Sequence, residues 1–550
     1  MDYSQYFAAR LRRLLTPQAE PIPGTTQVPN SAGGYAWPVS RWARLDRFLV
    51  LGSEGGTYYV GERQLTRENA QAVVECLAED GARVVRRVVE VSEAGRAPGN
   101  DPALFALALA AGLGNDATRA AALAALPRVA RTGTHLFHWL QYVSAFRGWG
   151  RGVRRAVAAW YTARDPRDLL HQVLKYPSRD GWAHRDALRL AHPRAPTVAH
   201  DLVLRYAARG WESVLTLNGV DDLDVVRTIE AVETLKHQGP VEAARTIAQH
   251  RLTREMVPTP LLAHAVVWEA LLQGMPYTAM IRNLGVMTRV GLLVPFSAAA
   301  RLVAGRLADR EALQAARVHP LAVLAALRTY GQGHGVRGRH SWQPVPQVVD
   351  ALDGAFYLAF RNAPTTGRRV LLALDVSGSM SARVHGLAYL DCREASAAMA
   401  LVTAATEPQH LFTAFTAGNY PSRWGPQLGS GLSTLDISPR QRLDDVVRRI
   451  RDLRFGGTDC ALPMLEALRH RWPIDLFVVY TDSETWAGRV HPAQALRQYR
   501  ERMGIPARLV VVGMASNGFS IADPEDAGML DVVGFDTATP AVIADFATGG

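Results

Sequence analysis

The spacing of apolar residues changes once along this chain, near Pro364–Gly367, and that change constrains the fold more than any other feature. Before it, from about Arg41 to Leu352, apolar residues recur at intervals of three and four. They form runs of roughly 10–18 residues, each closed by Gly, Pro or Asp. Ala103–Gly114, Ala117–Ala130, Val153–Ala163, Pro260–Gly274 and Pro320–Gly331 are examples. Such a succession predicts stacked helix pairs, an α-solenoid of the HEAT type, although no exact repeat period is visible. After the change, short β-branched runs dominate: Arg368–Met380, His410–Gly418, Ile474–Glu484, Ala507–Ser516 and Met529–Asp536. Helical stretches such as Arg393–Ala405, Leu443–Leu453, Ala461–Arg471 and Ala493–Arg502 lie between them. Strand–helix alternation with continuously apolar strands predicts a parallel sheet covered on both faces. The plan is therefore multidomain, α and α/β. It comprises an extended arm with one small helix over 1–40, a helical-repeat domain over 41–363 and a doubly wound domain over 364–550.

Mean hydropathy near zero, with 48% hydrophobic and 20% charged residues, fits a soluble globular protein. The longest apolar stretch, around Ala103–Leu113, falls well short of the ~18 residues that cross a bilayer. The first residues carry no apolar leader with a small-residue cleavage site, so a cytoplasmic protein with no membrane partner is expected. Cys76, Cys392 and Cys460 have no paired spacing and read as buried small hydrophobes in a reducing compartment.

Charge is uneven. From Gly367 onward 18 Lys+Arg face 20 Asp+Glu, a net of −2, which leaves +12 for the preceding residues. A basic helical part beside a near-neutral α/β part points to a polyanion partner, with Arg-rich compositional bias as the plainer alternative.

The first strand of the α/β part runs into Asp375-Val-Ser377-Gly-Ser379. One carboxylate and two hydroxyls at alternate positions can converge on a hard cation such as Mg²⁺, Mn²⁺ or Ca²⁺. A phosphatase would need a second Asp where Ser377 stands, and the G-x-G-x-x-G of a dinucleotide loop is absent. Two further loops, Gly456-Gly457-Thr458-Asp459 and Thr481-Asp482, precede a helix and follow a strand. Together the three loops resemble the von Willebrand A domain and its metal-ion-dependent adhesion site. That resemblance implies a divalent cation, Mg²⁺ first with Mn²⁺ or Ca²⁺ as the other fits, held by Asp375, Ser377, Ser379, Thr458 and Asp482. It also implies a coordination position left open for a partner's carboxylate. With Asp375 and Asp482 as the sole carboxylate ligands, the loops do not supply the acidic cluster of a two-metal nuclease, and a non-enzyme is expected.

Two helical segments mix cations with aromatics. His135–Tyr161 interleaves Trp, Phe, Tyr and His with Arg147, Arg151, Arg154 and Arg155, while Lys175–His192 carries Lys175, Arg179, His184, Arg185, Arg189 and His192. Arg forks bind phosphates and aromatic faces stack on bases. Equally, the aromatics can be helix-packing core with only the cations exposed. The segments Arg44–Ala70, Trp149–Tyr161 and Lys175–Leu190 resemble the TROVE module of Ro autoantigen proteins. With the A domain, that resemblance covers nearly the whole chain, and the short connection Ser144–Gly152 looks like a bacterial member.

The resemblance implies a monomeric ring of HEAT-like helices closed by the A domain. Such a ring binds small structured Y RNA on its outer basic surface and takes single-stranded 3′ ends of misfolded or precursor RNA into its hole. It implies work with 3′-to-5′ exoribonucleases in RNA quality control, rRNA processing and stress response. Carried over to this sequence, Lys175, Arg179, His184, Arg185 and Arg189 lead as RNA contacts, followed by Arg151, Arg154 and Arg155. A metal-dependent protein-adhesion scaffold stands as the competing reading.

Overall fold

The computed structural model describes residues 15–52, 70–97, 99–216, 224–316, 318, 320–335, 340–359, 365–384, 387–416, 431–438, 441–451, 456–515, 517–536 and 538–548. The small helix expected near the start, most of the Arg44–Ala70 segment and the boundary at 363/364 lie outside those residues.

The helical domain begins with the helix Arg41–Leu51 and ends with Pro346–Leu358. Its helices start where a hydroxyl or amide side chain can accept a free backbone N–H. Ser40, Asn115, Thr132, Thr197 and Ser297 each accept from the residue three positions on. The most apolar helix, Asp101–Leu113, is buried from Pro102 to Ala111, because other helices cover it on every side. It packs on Gln71–Glu93, Asp116–Val129 and Gly133–Phe146. Contacts then pass from neighbour to neighbour through Arg151–Thr162, His184–Ala191, Val198–Arg209, Asp224–Thr234, Pro240–His250, Ala265–Gly274, Tyr277–Arg289 and Ala298–Leu307 to Pro346–Leu358.

Two local departures have physical causes. The run Pro260–Gly274 is not one helix but a 3₁₀ turn, Thr259–Ala263, followed by Ala265–Gly274; Trp268 Nε1 bridges the break to Leu262 O at 2.8 Å. A strand pair also sits among the helices where none was expected. The arm contributes β1 (Val28–Pro29) and β2 (Tyr35–Pro38), and the helical domain contains the hairpin β3 (Ser178–Arg179) and β4 (Trp182–Ala183). Asp180 and Gly181 turn this hairpin with φ of 51° and 78°, the left-handed pair that a two-residue hairpin needs.

The C-terminal domain is built on β5 (Val370–Asp375), β8 (His410–Phe415), β9 (Leu432–Thr434), β10 (Leu476–Thr481), β11 (Arg508–Gly513) and β13 (Met529–Val533). A small hairpin, β6 (Arg383–Val384) with β7 (Leu387–Asp391), follows β5, and β12 (Phe519–Ser520) pairs with β2 of the arm. The main sheet runs β13-β11-β10-β5-β8-β9. Its first five strands are parallel, as the apolar runs predict, whereas β9 is antiparallel to β8, so the sheet is mixed. The strand order reverses between β5 and β10, which places the crevice for ligands beyond the carboxyl ends of those two strands.

Both ends of the helical run rest on this same domain, which closes the ring. At the first seam, Arg41–Leu51 packs on β13, and Arg96 binds Asp536 at 2.5 Å. At the second, Pro320–Gly331 packs on β7, Arg328 pairs with the buried Glu394, and Arg442 pairs with Asp350. Cys76, Cys392 and Cys460 are all buried, and none is in a disulfide. Among the described residues no helix is long and apolar enough to cross a membrane.

Candidate functional site

Asp375 ends β5 and Thr481-Asp482 ends β10, so the topology alone sets both carboxylates at the switch point. Asp375 is fully buried; Oδ1 accepts the Ser377 N–H at 2.9 Å and Oδ2 accepts the Thr481 hydroxyl at 2.6 Å. Ser377 Oγ and Ser379 Oγ lie 3.1 Å apart on the same loop. The third element, Thr458, is positioned from both sides. Thr416 clips the preceding turn through Gly456 N (2.8 Å) and Gly457 O (2.9 Å), and Trp486 N and Ala487 N donate to Thr458 O. The Trp486 indole lies close over Gly457, where a Cβ would stand 2.8 Å from it, so a larger residue would displace the indole.

The five residues named from the sequence thus stand on three loops, with the Thr458 loop tied by its backbone to the segment that follows Asp482. Among the described residues no group of three or more His, Cys, Asp or Glu is placed for a metal, so hydroxyls would supply the remaining donors. Two buried oxygens, Thr458 Oγ1 and Asp482 Oδ2, have no hydrogen-bond partner. Buried polar atoms are rarely left so, and an all-oxygen set with orphaned acceptors fits a hard cation. Burial, then the nearby Asp375 and Glu484 charges, hold the Asp482 carboxyl well above the usual range. Burial also raises Asp375, against the hydrogen bonds from Ser377 and Thr481. A cation would offset that repulsion.

The basic segments resolve differently. Phe137, Trp139, Trp160 and Tyr161 are fully buried in the helical core, so the aromatics of the first segment serve packing. Arg151, Arg154 and Arg155, at i, i+3 and i+4 on Arg151–Thr162, are exposed on the opposite side from Val153, Val157 and Trp160. The neighbouring helix His184–Ala191 exposes Arg185 and Arg189, four residues apart and so on one side. Among the described residues, none of these five arginines is in an ion pair. Arg179 is exposed on the hairpin, and half-buried Lys175 lies over the Tyr176 ring at 5.4 Å.

His184 is a correction. Only 3% of its surface is exposed; Nδ1 meets Tyr161 Oη at 2.8 Å, and the ring packs against Phe137 and Trp160. Burial lowers its pKa to about 4, so it is a neutral part of the core and no phosphate contact. The exposed imidazole of the segment is His192, at the left-handed C-cap of the same helix.

Comparison with known proteins decides the family. The TROVE domain model matches residues 28–219 and 228–368, and the Ro60 vWA domain model matches 369–547. The chain belongs to the Ro family. It is 44% identical to the RNA-binding protein RO60 of Deinococcus radiodurans, over 97% of each chain. To the RNA-binding protein RO60 of Caenorhabditis elegans it is 35% identical, over 95% of this chain and 90% of that one. The crystal structure of the Deinococcus radiodurans Ro protein superposes with a TM-score of 0.68, covering 93% of this chain and all of the other.

In this Ro-family chain several residues that shape the three candidate loops carry no motif. Arg393 Nη2 donates to Ser377 O at 3.2 Å. Asn517 Nδ2 donates to Asp482 O, while its Oδ1 accepts from Arg47 at 2.7 Å. Gln18 of the arm donates to Asp459 Oδ1 (2.7 Å) and accepts from Thr485 Oγ1, and Ala32 N donates to Glu484 Oε2 at 3.0 Å. The arm therefore lies along the loop that follows β10, with Gly34 so close that a Cβ would overlap Thr485 O. No local pattern announces these contacts; only the Pro-, Gly- and Ser-rich make-up of the arm hints at extended chain.

Proposed function

We propose that this chain is a non-catalytic RNA-binding ring of the cytoplasm. It binds small structured Y RNA and the single-stranded 3′ ends of misfolded or precursor RNA, and hands such RNA to exoribonucleases in quality control, rRNA processing and stress response. One observation carries the reading: Arg151, Arg154, Arg155, Arg185 and Arg189 stand exposed on two packed helices without acidic partners among the described residues. Unneutralised guanidinium groups at helical spacing are phosphate receptors, and the names of both RO60 relatives support RNA as the polyanion. The C-terminal domain binds a divalent cation, Mg²⁺ by the hardness of its donors, through Asp375, Ser377, Ser379, Thr458 and Asp482. The cation supplies an electrophilic position for a partner's carboxylate, and these residues bind and orient it.

The test is a filter-binding titration of the whole protein with structured and 3′-tailed RNAs at several salt concentrations. If at least four phosphates are neutralised, log K falls with log salt with a slope of about −3 or steeper. A salt-insensitive complex would remove the reading.

A second reading, protein adhesion at the metal loops, is favoured by Trp486, which is 39% exposed while it packs on Gly457 beside Thr458. The two readings use different domains and are compatible.

A further inference from the structure

A groove of about 710 Å³ opens where the helices Pro166–Lys175, His184–Ala191, Val198–Arg209 and Asp224–Thr234 meet. Its lining is mixed, with the apolar Val173, Leu174 and Pro177 beside the aromatic Tyr206 and half-buried Trp211. Arg185, Arg209 and Lys236 enter it, and all three are exposed. Glu233 is the one acid of the lining; it accepts from Tyr206 Oη at 3.2 Å and pairs with Lys236. Arg185 and Arg209 keep their charges unpaired among the described residues. The Val198–Arg209 helix ends at Gly210, whose φ of 83° turns the chain and brings Trp211 round to the groove.

We infer that this groove takes one unpaired nucleotide of a bound RNA, its base against Trp211 and its phosphate between Arg185 and Arg209. The volume lies in the range of small-ligand sites. An aromatic face with nearby Arg forks is the pairing that holds a splayed base and its phosphate. A groove meant for helix packing would not gather three cations, whereas a pure phosphate site would have no use for the Trp and Tyr rings. The Glu233 carboxylate has lone pairs beyond those used by Tyr206 and Lys236, so bases with amino donors are preferred over uracil. The buried His184 backs the groove, with one ring nitrogen held by Tyr161 and the other 3.4 Å from Gln172 O.

This inference rests on the RNA-binding reading, and the experiment separates the two. The full chain is titrated with a blunt RNA duplex and with the same duplex bearing a three-nucleotide 3′ tail that carries 2-aminopurine. Wild-type protein should bind both, with quenching of the 2-aminopurine by stacking on Trp211. Trp211→Ala and Arg209→Glu should each weaken the tailed RNA roughly tenfold and remove the quenching. Trp211→Phe should keep most of it, and affinity for the blunt duplex should stay unchanged in all three variants. Arg209 is exposed, so its variant reports even if Trp211→Ala folds poorly. If wild type binds neither RNA, the RNA-binding reading falls and this one with it. If wild type binds both RNAs without quenching the 2-aminopurine, and Arg209→Glu binds the tailed RNA as tightly as wild type does, the groove is overturned and the surface reading survives.

Discussion

The guanidinium of Arg47, on the first described helix, meets both carboxylate oxygens of Asp531, on the last strand of the main sheet, at 2.7 Å each. Arg47 is 1% exposed, and its Nη1 donates to Asn517 O, Asn517 Oδ1 and Phe519 O. One side chain thus joins the two domains and, through Asn517, reaches the backbone of Asp482. Removing one partner of a buried ion pair strands the other.

Arg47→Ala should therefore cost about 3–5 kcal/mol of stability. Scanning calorimetry of the variant should show the α/β and helical domains melting apart, where wild type melts with the two coupled. A single unshifted transition would mean that the Arg96–Asp536 pair suffices for this seam.

Asp375→Ala should abolish Mg²⁺ or Mn²⁺ binding in a calorimetric titration. It also leaves the Thr481 hydroxyl and Ser377 N–H, both buried, without their acceptor, at roughly 1–3 kcal/mol each. RNA affinity should remain within about twofold of wild type, because the basic helices lie in the other domain; contacts worth less than RT leave K nearly unchanged. Cation binding at wild-type strength would show that the ion is held elsewhere.

Arg185→Glu with Arg189→Glu replaces two receptors on one helix side by two repulsive charges. Each charge-assisted contact contributes about 1.5–3 kcal/mol, so affinity for structured RNA should fall more than a hundredfold. Circular dichroism should be unaltered, since both side chains are exposed. Undiminished binding would move the contact surface to Arg151, Arg154 and Arg155.

Acid should weaken the helical domain. Burial holds His184 down at about 4, and burial followed by the Arg131 and His138 charges holds His135 down at about 3. In the unfolded chain both titrate near the ordinary value of about 6.5. Between that value and their folded values the unfolded chain binds protons that the folded chain refuses, so stability falls as pH falls through this window. At pH 5 each histidine should cost about 2 kcal/mol relative to pH 7 or above. Urea midpoints at pH 7 and 5 measure this, and His184→Gln should shrink the difference by its own share. An equal difference in the variant would assign the acid sensitivity to other groups.

What could be read in the sequence follows from how local each signal is. Asp375, Ser377 and Ser379 stand on one loop after an apolar strand, so their convergence is visible in five residues. Thr458 and Asp482 are tied to that loop only by the order of the sheet, and only the family resemblance brought them in. Arg47, Gln18 and Asn517 were illegible because their partners lie hundreds of residues away and an isolated polar residue has no period. His184 misled for a related reason: it sits in an Arg-rich stretch, but its helical position faces Tyr161 and Phe137. The three-residue β9 is too short for its pattern to show direction, which hid the mixed character of the sheet.

Arg47 and Asp531, which pair across the first seam, are 484 positions apart in the chain. A ribosome adding roughly 5–20 residues per second needs on the order of 25–100 seconds to make that stretch. Until then the first seam lacks this pair, whereas the partners of the second seam, Arg328 with Glu394 and Asp350 with Arg442, are already made. The Arg47 charge stays in water until Asp531 emerges. Any polyanion that meets the chain before then meets an arc whose first seam is still open.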